Sequence, residues 1–129
     1  MKAISVKQPW ANLIAFLFKW FETRTWGTKY RGRILIVSSL KPDKHALGFV
    51  DAKKPPWTEY PYGYAIAVAE LTESRPMTVD DQEGSCCTIY PKAHVFRLEN
   101  VRRIKPIKVK GQLGIYNTDI QEEDLEYLT

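Results

Sequence analysis

Cysteine is scarce in this chain: the two present, Cys86 and Cys87, are adjacent. Neighbouring thiols close no loop of useful size, so a disulfide-stapled scaffold is ruled out. They also make a poor start on a tetrahedral zinc site, and His45 and His94 stand at no ligand spacing from them. We read reduced thiols and expect no metal and no cofactor. Long apolar runs are missing too. The stretch Trp10–Phe18 falls well short of the roughly 20 apolar residues that a bilayer-crossing helix needs. The opening MKAISVKQPW carries no signal-peptide core, so a soluble, cytoplasmic protein with no membrane partner is expected. The seven glycines form no phosphate-cradling loop, and no βαβ rhythm appears, which disfavours nucleotide triphosphatases and dinucleotide-binding enzymes. There is no internal repeat and no low-complexity tract.

What is present is ordinary globular composition, 44% hydrophobic and 26% charged in 129 residues, enough for one domain with a real core. Net charge is +4, but it is unevenly spread. The segment 119–129 carries five acids and no base, so residues 1–118 hold nineteen bases against ten acids. We expect a basic domain over 1–118, suited to a polyanion, followed by an acidic C-terminal helix or tail over 119–129. Three of the four tryptophans fall between Ser5 and Ser39, interleaved with Lys and Arg around a single acid, Glu22. Rings mixed with cations suit a surface that stacks bases and neutralises phosphates.

Alternation over Lys2–Val6 predicts a first strand. Gln8-Pro9 then starts a helix whose apolar face is Trp10, Leu13, Ile14, Leu17 and Phe18, with Trp10 read as a core residue. Phe21–Trp26 switches to period two, which puts Glu22, Arg24 and Trp26 on one face and Phe21, Thr23 and Thr25 on the other. Strands follow at Arg33–Ser39, Tyr64–Leu71, His94–Val101 and Gly114–Asn117, with a short helix near Asp43–Val50. Glu73–Thr88 reads as an acidic loop, and Thr118 or Asp119 as the cap of a last helix. The predicted fold is α+β: a small, mostly antiparallel β-barrel with an amphipathic N-terminal helix beside it and a short C-terminal helix.

Three blocks of residues resemble the ASCH (activating signal cointegrator homology) family, a branch of the PUA-like β-barrels. They are Ser5–Ala11, Lys19–Trp26 continuing through Thr28–Gly32, and Tyr62–Leu71, with Lys110-Gly111 and Gly114–Tyr116 near the end. The resemblance implies a cleft beside the helix, lined by the family's Gly-x-Lys-x-x-Glu-x-Arg motif and accepting RNA or nucleotides. Its motif positions here are Lys19, Glu22 and Arg24, and Leu17 stands where the family has glycine. One branch of the family deacetylates N4-acetylcytidine with a threonine nucleophile, and another is credited with ribonuclease activity. Glu22 occupies the threonine position in this chain, which argues against the same acyl transfer.

Each candidate also has a structural reading. Lys19 is either a cleft cation or a lysine that favours a helix C-terminus. Glu22 and Arg24 either bind ligand or brace the barrel as an ion pair, and Trp26 either stacks or packs. Lys29, Tyr30 and Arg31 sit on the adjoining loop, in reach of phosphate, while Arg102 and Arg103 begin a basic stripe through Lys105, Lys108 and Lys110. The function expected is a nucleic-acid-binding module, RNA preferred, taking a single-stranded segment or a modified nucleotide. The alternative is a small hydrolase on RNA or a modified nucleoside at the same cleft, with Lys19 and Glu22 as its catalytic candidates. Nothing in the residues sets an oligomeric state.

Overall fold

The computed structural model describes residues 1–128. Six strands form one curled sheet, a half-barrel, with a few short helices around it. The strands are β1 (Lys2–Val6), β2 (Phe21–Arg24), β3 (Gly32–Ser38), β4 (Tyr64–Pro76), β5 (His94–Lys108) and β6 (Ile115–Asn117). The helices are α1 (Trp10–Ala15), α2 (Lys44–Ala52) and α3 (Gln82–Ser85). Sheet order is β2-β5-β4-β3-β1-β6, antiparallel throughout except for the β1/β3 pair. The expected α+β, mostly antiparallel barrel is therefore what forms. Register shifts within the β3/β4 and β4/β5 ladders add twist and bend those strands. Among the described residues, no helix is long and apolar enough to cross a membrane.

The run RILIVSS is apolar at consecutive positions because β3 is buried on both faces. Ile34 and Ile36 join a core under α1 with Ile4, Leu71 and Phe96. Leu35 and Val37 join a second core with Ile104, Tyr116 and Ile120, packed against Leu125 and Tyr127 of the C-terminal segment. Of the expected C-terminal helix or tail, only a single helical turn forms among the described residues, the 3-10 turn Glu122–Asp124, capped by Gln121 rather than by Thr118 or Asp119. Tyr127 then bridges to Ile104 on β5.

Three further expectations change. β4 and β5 run on to Pro76 and Lys108, so the first part of the expected acidic loop and much of the basic stripe are strand. Period two along His94–Val101 puts His94, Phe96, Leu98 and Asn100 on one face, where Phe96 and Leu98 are buried but Asn100 is exposed at φ 51°. Finally, α1 stops at Ala15, and Leu17 and Phe18 are exposed rather than packed. The helix ends in a Schellman motif: Phe18 N–H donates to Leu13 O at 2.8 Å and Leu17 N–H to Ile14 O at 3.1 Å. Leu17 holds the left-handed position at φ 69°, where glycine is the usual residue.

Candidate nucleic-acid interface

The turn at Leu17 reverses the chain, so that Lys19 enters the interior instead of extending the helix. Its side chain is 3% exposed. Its ammonium donates to Ser85 O at 2.5 Å, stands 3.7 Å from Glu22 Oε1, and lies 5.2 Å from the centre of the Trp10 ring. Ser85 arrives there because Gly84 lets α3 press on β2. A Cβ on Gly84 would meet the Phe21 ring at 2.7 Å, and Gly84 O accepts from Trp20 N–H. Glu22 and Arg24 share a strand face as their spacing requires. Arg24 donates to Glu22 Oε2 through Nε at 3.1 Å and Nη2 at 2.8 Å, and Nη2 also reaches Ser5 O at 2.7 Å.

These residues form part of the wall of a groove of about 1300 Å³ between α1, the ends of β1 and β2, and the 108–114 segment. The side chains around it include six bases, Lys7, Lys19, Arg24, Lys41, Lys108 and Lys110, and one acid, Glu22. Trp10, Tyr62, Tyr64 and Tyr90 supply aromatic rings. Lys7, Lys41, Lys108 and Lys110 are exposed, and among the described residues none of the four enters an ion pair. The groove thus has a deep, internally bonded cluster and an outer rim of free lysines. Such a site offers phosphates mobile cations at the rim and offers a base rings and fixed polar groups within.

Trp10 is therefore not the plain core residue expected. It is half-buried in the groove wall, and its Nε1 donates at 3.1 Å to Asp43 Oδ2. Asp43 also caps α2 by accepting from Ala46 N–H. That backbone bond, helped by the Trp10 bond and opposed by burial, holds the Asp43 carboxyl below its ordinary range. Of the other groove residues, Lys108 and Lys110 come from the basic stripe, and Lys7, Tyr62 and Tyr64 lie inside the resemblance blocks, while no sequence signal marks Lys41 or Tyr90.

The other sequence candidates lie outside the groove. Trp26 packs edge-on to Phe96, centroids 5.1 Å apart, against the core. Tyr30 donates its hydroxyl to Arg33 O and lies under Lys2, Arg31 bonds carbonyls of its own loop, and Lys29 is exposed. Arg102 lies 3.9 Å from the centre of the Tyr127 ring. Arg103 lies over Phe16 at 4.3 Å, in a separate cavity of about 620 Å³ that also includes Trp57 and Tyr60. Thr23 borders the groove near Cys87, its hydroxyl 3.9 Å from the thiol, although Glu22 and Arg24 project from the other strand face.

Comparison with known proteins agrees with the architecture. The crystal structure of ASCH from Zymomonas mobilis superposes with a TM-score of 0.62 at 15% identity, covering 95% of this chain and 89% of that one. A tyrosine-to-phenylalanine mutant of the same protein gives 0.59 at 16% identity, covering 95% and 91%. At such identity the likeness speaks for the fold. A search of curated protein sequences finds no match. The ASCH domain model matches residues 4–108, which include the whole Lys19/Glu22/Arg24 cluster. The chain belongs to the ASCH domain family.

Proposed function

We propose that the groove binds single-stranded nucleic acid, RNA in preference to DNA, with a base or modified base lodged beside Trp10, Glu22 and Arg24. The observation that carries this reading is the groove's charge arrangement: four exposed lysines, unpaired among the described residues, around a ring-lined interior. Unpaired cations at the rim release counterions on meeting phosphates, and rings accept any exposed base. Family membership supports it, since ASCH domains are generally thought to bind RNA. A duplex presents no splayed bases, and among the described residues the groove offers no long helix for a major groove.

The same geometry speaks for binding over hydrolysis. Both Glu22 oxygens face protein cations, and the Lys19 ammonium is held by the Ser85 carbonyl, an arrangement that favours a positioning role for the pair over proton transfer. The test is fluorescence anisotropy of labelled single-stranded RNA and of a matched duplex over a salt series, with product analysis for RNA cleavage and for N4-acetylcytidine deacetylation. Single strands should bind more tightly than duplex, with log K falling by about 0.7 per phosphate contact per tenfold salt. Absence of binding at low salt contradicts the proposal. Turnover that Lys19→Ala abolishes would replace it with the hydrolase reading.

A further inference from the structure

The strand that brings Lys108 to the groove, β5, carries two further bases, Lys105 and Arg102, over a span of about 20 Å at roughly 3.3 Å per residue. Lys108 opposes Tyr64 beside the core under α1, whereas Arg102 opposes Val68 and projects from the other sheet face, toward the C-terminal segment. Arg33 on β3 adjoins them through the C-terminal segment, which covers all three. Arg33 donates to Glu122 at 2.9 and 3.0 Å and to the Tyr127 hydroxyl at 2.8 Å. Lys105 lies 3.8 Å from Glu126, and the Arg102 guanidinium lies over the Tyr127 ring. Two backbone bonds fasten this strap to β5: Lys105 N–H to Glu126 O at 2.8 Å, and Leu128 N–H to Arg103 O at 3.0 Å.

The strap thus presents to this stripe carboxylates against two cations and an aromatic ring against the third. Those are the groups that a short run of nucleotides would present, phosphates and a base. The contacts are also exchangeable. Lys105 and Glu126 are 69% and 72% exposed, and such a surface pair holds only weakly against water, whereas the forked Arg33–Glu122 pair is the firmer of the two.

We propose that Arg33, Arg102 and Lys105 are a second polyanion-binding surface, reached from the groove around the edge of β5 that β2 does not cover, which the acidic strap covers until a long single-stranded nucleic acid displaces it. The inference rests on the groove reading for its direction of approach, and it adds a length dependence that the groove alone does not give. A strand confined to the groove ignores the strap, whereas one that runs past Lys108 competes with it.

The test is anisotropy with labelled oligouridylates of four and twelve nucleotides, using the full chain and the variant Glu122→Gln/Glu126→Gln. Freeing two cations should tighten the twelve-nucleotide strand about tenfold at low salt and steepen its salt slope by about 1.4, leaving the four-nucleotide strand unchanged. A control, Asp80→Asn/Glu83→Gln, removes the same charge from exposed acids elsewhere. An equal gain in that control, or no gain in the strap variant, overturns the proposal. Adding Arg33→Ala/Lys105→Ala, which removes the two freed cations, should cancel the gain of the strap variant, with thermal unfolding confirming that each protein is folded. Failure of the groove reading shows separately, as a four-nucleotide affinity that Lys7→Gln/Lys108→Gln/Lys110→Gln does not weaken.

Discussion

Arg24 on β2 donates to the main-chain carbonyl of Ser5 on β1 at 2.7 Å, although the sheet order places three strands between them. The sheet has curled until its β2 edge approaches β1, the strand next to the other edge, and one guanidinium ties the seam. The same nitrogen holds Glu22, so the motif arginine closes the half-barrel and shapes the groove wall together.

Arg24→Ala should therefore act first on stability. It leaves the Glu22 carboxylate, 10% exposed, with only the more distant Lys19 and frees the Ser5 carbonyl. We expect a loss of about 2–3 kcal/mol in urea unfolding. Arg24→Lys should recover only part, because an ammonium cannot serve Glu22 and Ser5 with the planar guanidinium's geometry.

Much of this was legible in the residues. The period-two pattern of Phe21–Arg24 put Glu22 and Arg24 on one face, and the branched, apolar run at Ile34–Val37 marked a strand buried on both sides. The end of α1 was not legible, because the apolar spacing of Leu17 and Phe18 continues the helical period while the chain has already turned. The gathering of the rim lysines was not legible for a different reason. Lys7 follows β1 and Lys108 ends β5, and they line one groove because the β1/β3, β3/β4 and β4/β5 ladders bring those strand ends to the same end of the sheet, a long-range registration that no local pattern carries. Trp10 looked like core because its spacing fits the buried face, yet it sits where that face opens onto the groove.

Leu17 offers a second test. It is 60% exposed at φ 69°, so its side chain packs little while its backbone occupies a conformation that disfavours L residues by about 1–2 kcal/mol. Part of that is offset by glycine's greater freedom in the unfolded chain. Leu17→Gly should stabilise the protein by about 0.5–1 kcal/mol with an unchanged m-value. A loss of stability would mean that the Leu17 side chain contributes packing beyond its exposed position.

A pH dependence follows from Asp81, which is buried and supports the segment leading to α3 and Ser85. Hydrogen bonds from the Arg75 guanidinium, and then from Thr78, outweigh burial and hold its carboxyl well below the usual carboxylate range. A depressed folded-state value means that stabilisation is full above the unfolded value, about 3.9, and is lost as the pH falls toward the folded one. Asp81→Asn should cost about 2–3 kcal/mol at pH 7, and the gap to the unaltered protein should narrow as the pH drops below about 4. Urea unfolding at pH 7 and pH 3 checks both statements.

The central claim is that the rim lysines of the groove meet the phosphates of a single strand. The most direct measurement is the salt dependence of four-nucleotide RNA affinity in the unaltered protein and in Lys7→Gln/Lys108→Gln/Lys110→Gln. These lysines are exposed and, among the described residues, form no ion pair, so folding should be unaffected. If all three meet phosphates, the log–log slope should shallow by about 2 and low-salt affinity should fall at least tenfold. An unchanged slope with unchanged affinity would place the nucleic acid elsewhere, or nowhere, on this protein.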